Sequence, residues 1–303
     1  MSSPWIEGLR SVALDVPDLA RAEDFYTRTW RLEVAHRDDG VLYLRGSGSD
    51  AYLLALHQGD AVPRLRQVTL RARSRAALDV VARQATDAGA TLLAEAHPQR
   101  DPAGGVGLKF SDPHGRIFEV VHGDAQRPPV PEGTAEKDQP IRLTHVVLNS
   151  HAVDETQAFL QQAMGFRLAD RTGIMAFMNC DRDHHTIAIG ISDNDALNHI
   201  AFLMPDFESV MRGGGRMKDA GFPIQWGPGR HGPGNNLFNY FLDPFGIAIE
   251  YTAEVEQIDD GYEAHGPAHW QWPPGRVDQW GISPPPAATL KEAQRRIFFA
   301  PIP

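Results

Sequence analysis

The sequence predicts an α+β protein made of two tandem modules, each built from two β-α-β-β-β units. Three observations carry this prediction. Segments in the second half repeat segments in the first at a nearly constant offset, strands and helices alternate in the same order in both halves, and a Pro- and charge-rich stretch separates them. The length of 303 residues suits the same division, being about two domains at ~150 residues each.

The repeat is legible in three places. LRSVALDV (9–16) corresponds to LTHVVLNS (143–150), LRQVTLRA (65–72) to LNHIAFLM (197–204), and SDPHGRIFEVV (111–121) to LDPFGIAIEYT (242–252). Ser11 then pairs with His145, Gln67 with His199 and Glu119 with Glu250, at offsets of 134, 132 and 131. Between these strands, apolar residues recur at helical spacing over 20–30 and 155–164, with Asp18 and Asp154 as N-cap candidates and Gly165 as a C-terminal stop. Further helices are predicted over 75–88, between Ser74 and Gly89, and over 207–220, between Asp206 and Gly221. The expected organisation is a first module at 1–122, a linker at 123–140, a second module at 141–252 and an extended arm at 253–303. The arm carries Trp270, Trp272 and Trp280 among many prolines and reads as a segment packed on the body.

Composition excludes several function classes. The net charge is −10 and no Lys/Arg cluster stands out, which argues against nucleic acid as a partner. No run of eighteen apolar residues exists, so no membrane span is expected, and the N-terminus lacks a basic segment followed by an apolar one. The single cysteine, Cys180, cannot form an internal disulfide, which reads as cytoplasmic. Thirteen histidines are the first hint of metal or proton chemistry.

His145, His199 and Glu250 each lie inside a predicted strand. Burying two imidazoles and a carboxylate in strand centres is costly unless they are paired or bound to metal. Two histidines and a carboxylate on three strands of one curved sheet fit one triangular face of an iron coordination sphere, leaving positions open for substrate and oxygen. A strand histidine is otherwise a hydrogen-bonded core residue, and a strand glutamate an ion-paired one. The repeat favours the metal, because the equivalent positions of the first module, Ser11, Gln67 and Glu119, retain one ligand-type residue; one half is armed and the other disarmed.

The segment GRHGPGNNLFNYFLDPFGIAIEY (229–251) resembles the signature of type I extradiol ring-cleavage dioxygenases of the vicinal oxygen chelate superfamily: His231, then Tyr240 in an aromatic strand, then Asp243-Pro244-Phe245-Gly246, then Glu250. The resemblance implies incomplete mixed-sheet barrels with the metal site in the C-terminal module. It implies His145, His199 and Glu250 as ligands of Fe(II), or less readily Mn(II), with O2 as co-substrate and a catechol-type aromatic diol as substrate. Of the two neighbours in DRDHHTIAIG, family spacing and the following Thr-Ile-Ala favour His184 as the acid/base histidine, with His185 as a substrate contact. The substrate-orienting pair falls on His231 and Tyr240, although His231 also suits a loop turn and Tyr240 a core aromatic. Some relatives that take carboxylate-bearing substrates place an arginine where this chain has Trp226, so an apolar or aromatic substituent is expected; Arg230 is the nearby residue able to supply charge. A homo-oligomer is expected from the same resemblance.

Two other readings use the same scaffold. A glyoxalase-like isomerase or thiol transferase recruits ligands from both modules, for which Gln67 and Glu119 are available. A metal-free binding protein would leave the three ligand-type residues without a role.

Overall fold

The computed structural model describes residues 3–130 and 138–302. Within the expected linker, 131–137 lie outside the described residues. Four β-α-β-β-β units follow one another. The first is β1 (Ile6–Val16), helix α1 (Leu19–Asp24), β2 (Glu33–Asp38), β3 (Val41–Arg45) and β4 (Leu54–Gln58); the second is β5 (Arg64–Ala72), α2 (Arg75–Asp87), β6 (Thr91–Pro98), β7 (Val106–Ser111) and β8 (Ile117–His122). The third comprises β9 (Arg142–Ser150), α3 (Val153–Met164), β10 (Arg167–Arg171), β11 (Met175–Asn179) and β12 (Ile187–Ile191), and the fourth β13 (Ala196–Leu203), α4 (Phe207–Asp219), β14 (Trp226–Arg230), β15 (Leu237–Leu242) and β16 (Ala248–Ala253).

Each pair of units makes one unclosed mixed sheet. The strand orders are β2-β3-β4-β1-β5-β8-β7-β6 and β10-β11-β12-β9-β13-β16-β15-β14. The opening strands of paired units, β1 with β5 and β9 with β13, run antiparallel at the centre, and each is flanked on its other side by a parallel neighbour. Central strands are covered on both faces, which explains the near-continuous apolar runs in VALDV and HVVL.

The helix ends follow local chemistry. Asp18, Ser74 and Asp206 accept hydrogen bonds from the backbone N–H three residues on, capping α1, α2 and α4. Asp154 does not cap α3: the helix begins two residues earlier, at the buried Val153, and Asp154 instead pairs with Arg171 at 2.7 Å. The expected single helix over 20–30 divides into α1 and a π-helical turn at Phe25–Thr29, closed by Trp30 N–H donating to Phe25 O at 3.0 Å. The turn brings Phe25, Tyr26 and Trp30 together on the buried side.

That side packs across the modules. The Trp30 ring stacks on Tyr251 of β16 with centroids 3.6 Å apart, and the Tyr251 hydroxyl donates to Trp30 O at 3.0 Å. The two Asp-Pro-x-Gly turns are built alike: Asp112 accepts from His114 N and Arg116 N, and Asp243 from Phe245 N and Ile247 N. Gly115 and Gly246 close them at φ +85° and +82°, where a side chain would be strained. The arm closes onto the second module. Residues beyond β16 bridge to β10 and to the segment before β12, and after helix α5 (Ala288–Ala293) the strand β17 (Ile297–Phe298) pairs with β13. No helix among the described residues is long and apolar enough to cross a membrane.

Candidate metal centre

The site begins with strand register. Ala201 of β13 pairs with His145 of β9 on one side and with Glu250 of β16 on the other. His199 lies two residues before Ala201, so all three side chains leave the sheet on one face. One ligand atom from each lies within 4.8 Å of the others. His145 Nε2 is 3.3 Å and His199 Nε2 3.1 Å from Glu250 Oε2, and the three residues are 2%, 5% and 0% exposed.

The donor set fits a divalent cation. Among the described residues no Lys or Arg partners Glu250; its contacts are histidines, the Tyr240 hydroxyl and Asn236, whose Nδ2 donates to Glu250 Oε1 at 3.4 Å and to Thr252 Oγ1 at 2.8 Å. Burial alone would raise the Glu250 carboxyl, but the hydrogen bonds with His145 and His199 outweigh it and hold the group well below the usual carboxylate range. Burial also lowers His199, more than the nearby Glu250 raises it. Two imidazoles beside an ionised carboxylate in a dry site are a donor set that suits a hard to borderline metal ion.

Tyr240 of β15 sits opposite Glu250 in the ladder, and its hydroxyl is 3.4 Å from His199 Nε2 and 3.1 Å from His231 Nε2. Burial, reinforced by Glu250, pushes the tyrosine up, while burial pushes His231 down to about 4. The His231 ring stacks on Phe238 at 4.0 Å, and the Trp226 ring lies over Tyr240 at 5.1 Å. His199, Trp226, His231 and Tyr240 border a cavity of about 530 Å³ whose walls include Val147, Ile174, Phe177 and, from the arm, Trp270 and Trp272.

Two expectations are corrected by this geometry. His185, rather than His184, lines the cavity, with its ring 4.3 Å from that of His145. His184 is fully buried with its Nε2 2.9 Å from Asp170 Oδ2, directed away from the cavity. Both histidines precede β12, so strand alternation does not govern them, and His184 N–H is tied to Glu256 O of the arm at 2.8 Å. Arg230 is likewise turned away: it is ion-paired with Glu254 and lies over the Trp280 ring. The cationic residues that do line the cavity, Arg276 and Lys291, come from the arm. Sequence reasoning also missed Thr144 and Asn198, whose oxygens lie 2.9 and 2.8 Å from the Nδ1 atoms of His145 and His199; each is the residue immediately before its histidine.

In the first module Ser11, Gln67 and Glu119 occupy the equivalent places. Thr69 pairs with Ser11 and Glu119 as Ala201 pairs with His145 and Glu250. There Gln67 Nε2 donates to Glu119 Oε2 at 2.9 Å in a separate polar cavity of about 160 Å³.

Comparison with known proteins agrees with this architecture. Residues 142–251 match the Glyoxalase/Bleomycin resistance protein/Dioxygenase superfamily, and residues 11–121 match the glyoxalase-like domain. The chain belongs to the vicinal oxygen chelate superfamily and, within it, to the type I extradiol dioxygenases. It is 31% identical to metapyrocatechase 2 of Cupriavidus necator over 233 residues, 68% of each chain. It is 24% identical to a manganese-dependent 2,3-dihydroxybiphenyl 1,2-dioxygenase of Geobacillus genomosp. 3, covering 77% of this chain and 80% of that one. Among solved structures, the Mn(II)-bound glyoxalase from Novosphingobium aromaticivorans superposes with a TM-score of 0.87 at 32% identity, covering 95% of this chain and 94% of that one.

Proposed function

We propose that the pocket opens the ring of a catechol-type diol beside its two hydroxyls, adding both atoms of O2 to give a muconic semialdehyde-type product. His145, His199 and Glu250 would hold Fe(II) or, as the alternative, Mn(II). The observation that carries this reading is the convergence of these three side chains, two of which, His145 and His199, line a largely apolar cavity together with His185, His231 and Tyr240. A divalent metal held there would supply Lewis-acid activation of the diol and of O2.

The chain's own groups handle protons and orientation. Burial keeps His231 unprotonated at neutral pH, so its Nε2 is placed to accept a diol proton, and the Tyr240 hydroxyl, kept protonated, donates to a diol oxygen. His185 also lines the cavity; its Nδ1 is engaged by His184, leaving the Nε2 lone pair to take up a substrate proton and return it as the ring opens. Val147, Ile174, Phe177, Trp226, Trp270 and Trp272 exclude water and accept a hydrophobic ring substituent. Trp226 and the outward-turned Arg230 favour an apolar or aromatic substituent over a carboxylate in that part of the site.

Anaerobic loading with Fe(II) or Mn(II), followed by aerobic mixing with monocyclic and bicyclic catechols, tests the reading. Expected results are oxygen uptake and a yellow product; a metal-replete protein that consumes no oxygen with any catechol overturns it. Single alanine variants at His145, His199 and Glu250 are expected to lose stoichiometric metal.

The likeness to a Mn(II)-bound glyoxalase favours a second reading, a metal-dependent isomerase that consumes no oxygen. Against it, Gln67 and Glu119 are hydrogen-bonded to each other in their own cavity and do not join the three ligands. We further propose a cytoplasmic homo-oligomer, supported by the free, buried Cys180 and by Phe207, Met211, Trp280 and Ile282, which expose apolar surface. Light scattering tests the assembly.

A further inference from the structure

Behind His185 lies a hydrogen-bonded chain that the reaction outlined above does not use. Asp170 on β10 is completely buried. Its Oδ2 lies 2.9 Å from His184 Nε2 and 3.1 Å from the Tyr262 hydroxyl; its Oδ1 lies 2.7 Å from the backbone N–H of His265 and 3.2 Å from His265 Nδ1. An ionised carboxylate only accepts, and here four donors converge on its two oxygens. His184 Nε2 therefore carries a hydrogen. In neutral His184 the other nitrogen, Nδ1, is then an acceptor, and it lies 3.1 Å from His185 Nδ1. His185 Nδ1 must donate, which leaves the Nε2 lone pair of His185 for the cavity. Phe177 and His145, with centroids 5.1 and 4.3 Å from the His185 ring, fix its plane.

We propose that Asp170 and His184 are positioning residues that set the tautomer and orientation of His185, in the order Asp170–His184–His185. The proposal rests on reading His185 as the proton-handling residue of the cavity. Neither Asp170 nor His184 touches the diol or the metal ligands; both act through His185. The arm completes the device. Tyr262 and His265 satisfy the remaining lone pairs of Asp170, and Glu256 O holds His184 in place, so the carboxylate needs no Lys or Arg partner.

Asp170→Asn keeps the shape of the side chain but puts an amide donor against existing donors, which removes the constraint on the His184 tautomer. Turnover by the metal-loaded Asp170→Asn enzyme is expected to fall roughly 10–100-fold, the range for loss of a residue that orients a functional imidazole, with KM and metal content changed less than about twofold. His184→Gln, which interrupts the chain one link later, is expected to show the same division between kcat and KM. In ¹⁵N-histidine NMR of the Zn(II)-loaded protein, with the His185 signal identified by its loss in His185→Gln, the wild type is expected to carry the hydrogen on Nδ1. Asp170→Asn is expected to populate the Nε2–H form, and Tyr262→Phe to leave the tautomer unchanged. A folded Asp170→Asn or His184→Gln enzyme with wild-type kcat, or one whose metal content falls in step with kcat, overturns the proposal. Failure of wild-type enzyme to cleave any catechol would instead overturn the reading of the site itself.

Discussion

His199 Nδ1 lies 2.8 Å from Asn198 Oδ1, and the order of donors behind this contact is set from outside the module. Gln294 O, a backbone carbonyl at the end of α5, accepts from Asn149 Nδ2 at 2.8 Å. Asn149 Oδ1 must then face Asn198, which donates to it through Nδ2 at 2.9 Å and turns its own Oδ1 to His199. With Nδ1 carrying a hydrogen toward Asn198, the neutral form of this imidazole keeps its Nε2 lone pair available for the cation proposed beside Glu250. Two asparagines and one carbonyl of the arm thus fix the orientation of the His199 ring.

Asn198→Leu is expected to weaken metal retention by about 10–100-fold, the usual range for an outer hydrogen-bond partner of a ligating histidine. Asn198→Asp, which preserves the acceptor, is expected to restore most of it. Chelator competition with Mn(II), followed by electron paramagnetic resonance, measures both. Equal affinities for the Leu and Asp variants would show that the acceptor has no influence.

His185→Gln is expected to lower kcat by roughly 10²–10⁴-fold, the usual weight of a positioned acid/base group, without removing metal. His184→Gln acts only through its neighbour and is expected to be the milder change. Steady-state kinetics alongside metal analysis ranks the two; a harsher effect at His184 would contradict the cavity geometry.

The first module contains a histidine suited to a stability measurement. Burial, then Arg66 and Lys109, lowers His57 to about 4 against an ordinary 6.5. Between pH 6.5 and 4 the unfolded chain binds the proton more readily than the folded one, so this contribution is complete above 6.5 and is lost as pH falls toward 4. Urea unfolding at pH 7 and pH 5 is expected to show a smaller loss for His57→Gln than for the wild type. An identical loss would mean that His57 is not held neutral in the fold.

Trp30→Ala removes the ring stacked on Tyr251 and is expected to cost about 3–5 kcal/mol, as for other large aromatics deleted from a core. Denaturant unfolding measures it. Because the contact joins the modules, the transition is also expected to broaden or split. A change below about 1 kcal/mol would show that the stack contributes little beyond a surface contact.

The sequence by itself determined the four-unit plan and singled out His145, His199 and Glu250, which the fold brings together. Strand period and a duplicated order are local properties, and the repeat offset placed His145, His199 and Glu250 on adjacent strands that the ladder then brought into register. Tertiary structure decided what local pattern cannot encode. His184 and His185 lie in an irregular segment whose direction is set by hydrogen bonding to the arm, so alternation offered no guide to which one enters the cavity. Arg230 was drawn to Glu254 and Trp280 of the arm, and Arg276 and Lys291 reached the cavity from the same arm. Asp154 was displaced from its cap because burying Val153 extended the helix by two residues. In each case a long-range contact outweighed a local preference worth about 1 kcal/mol or less.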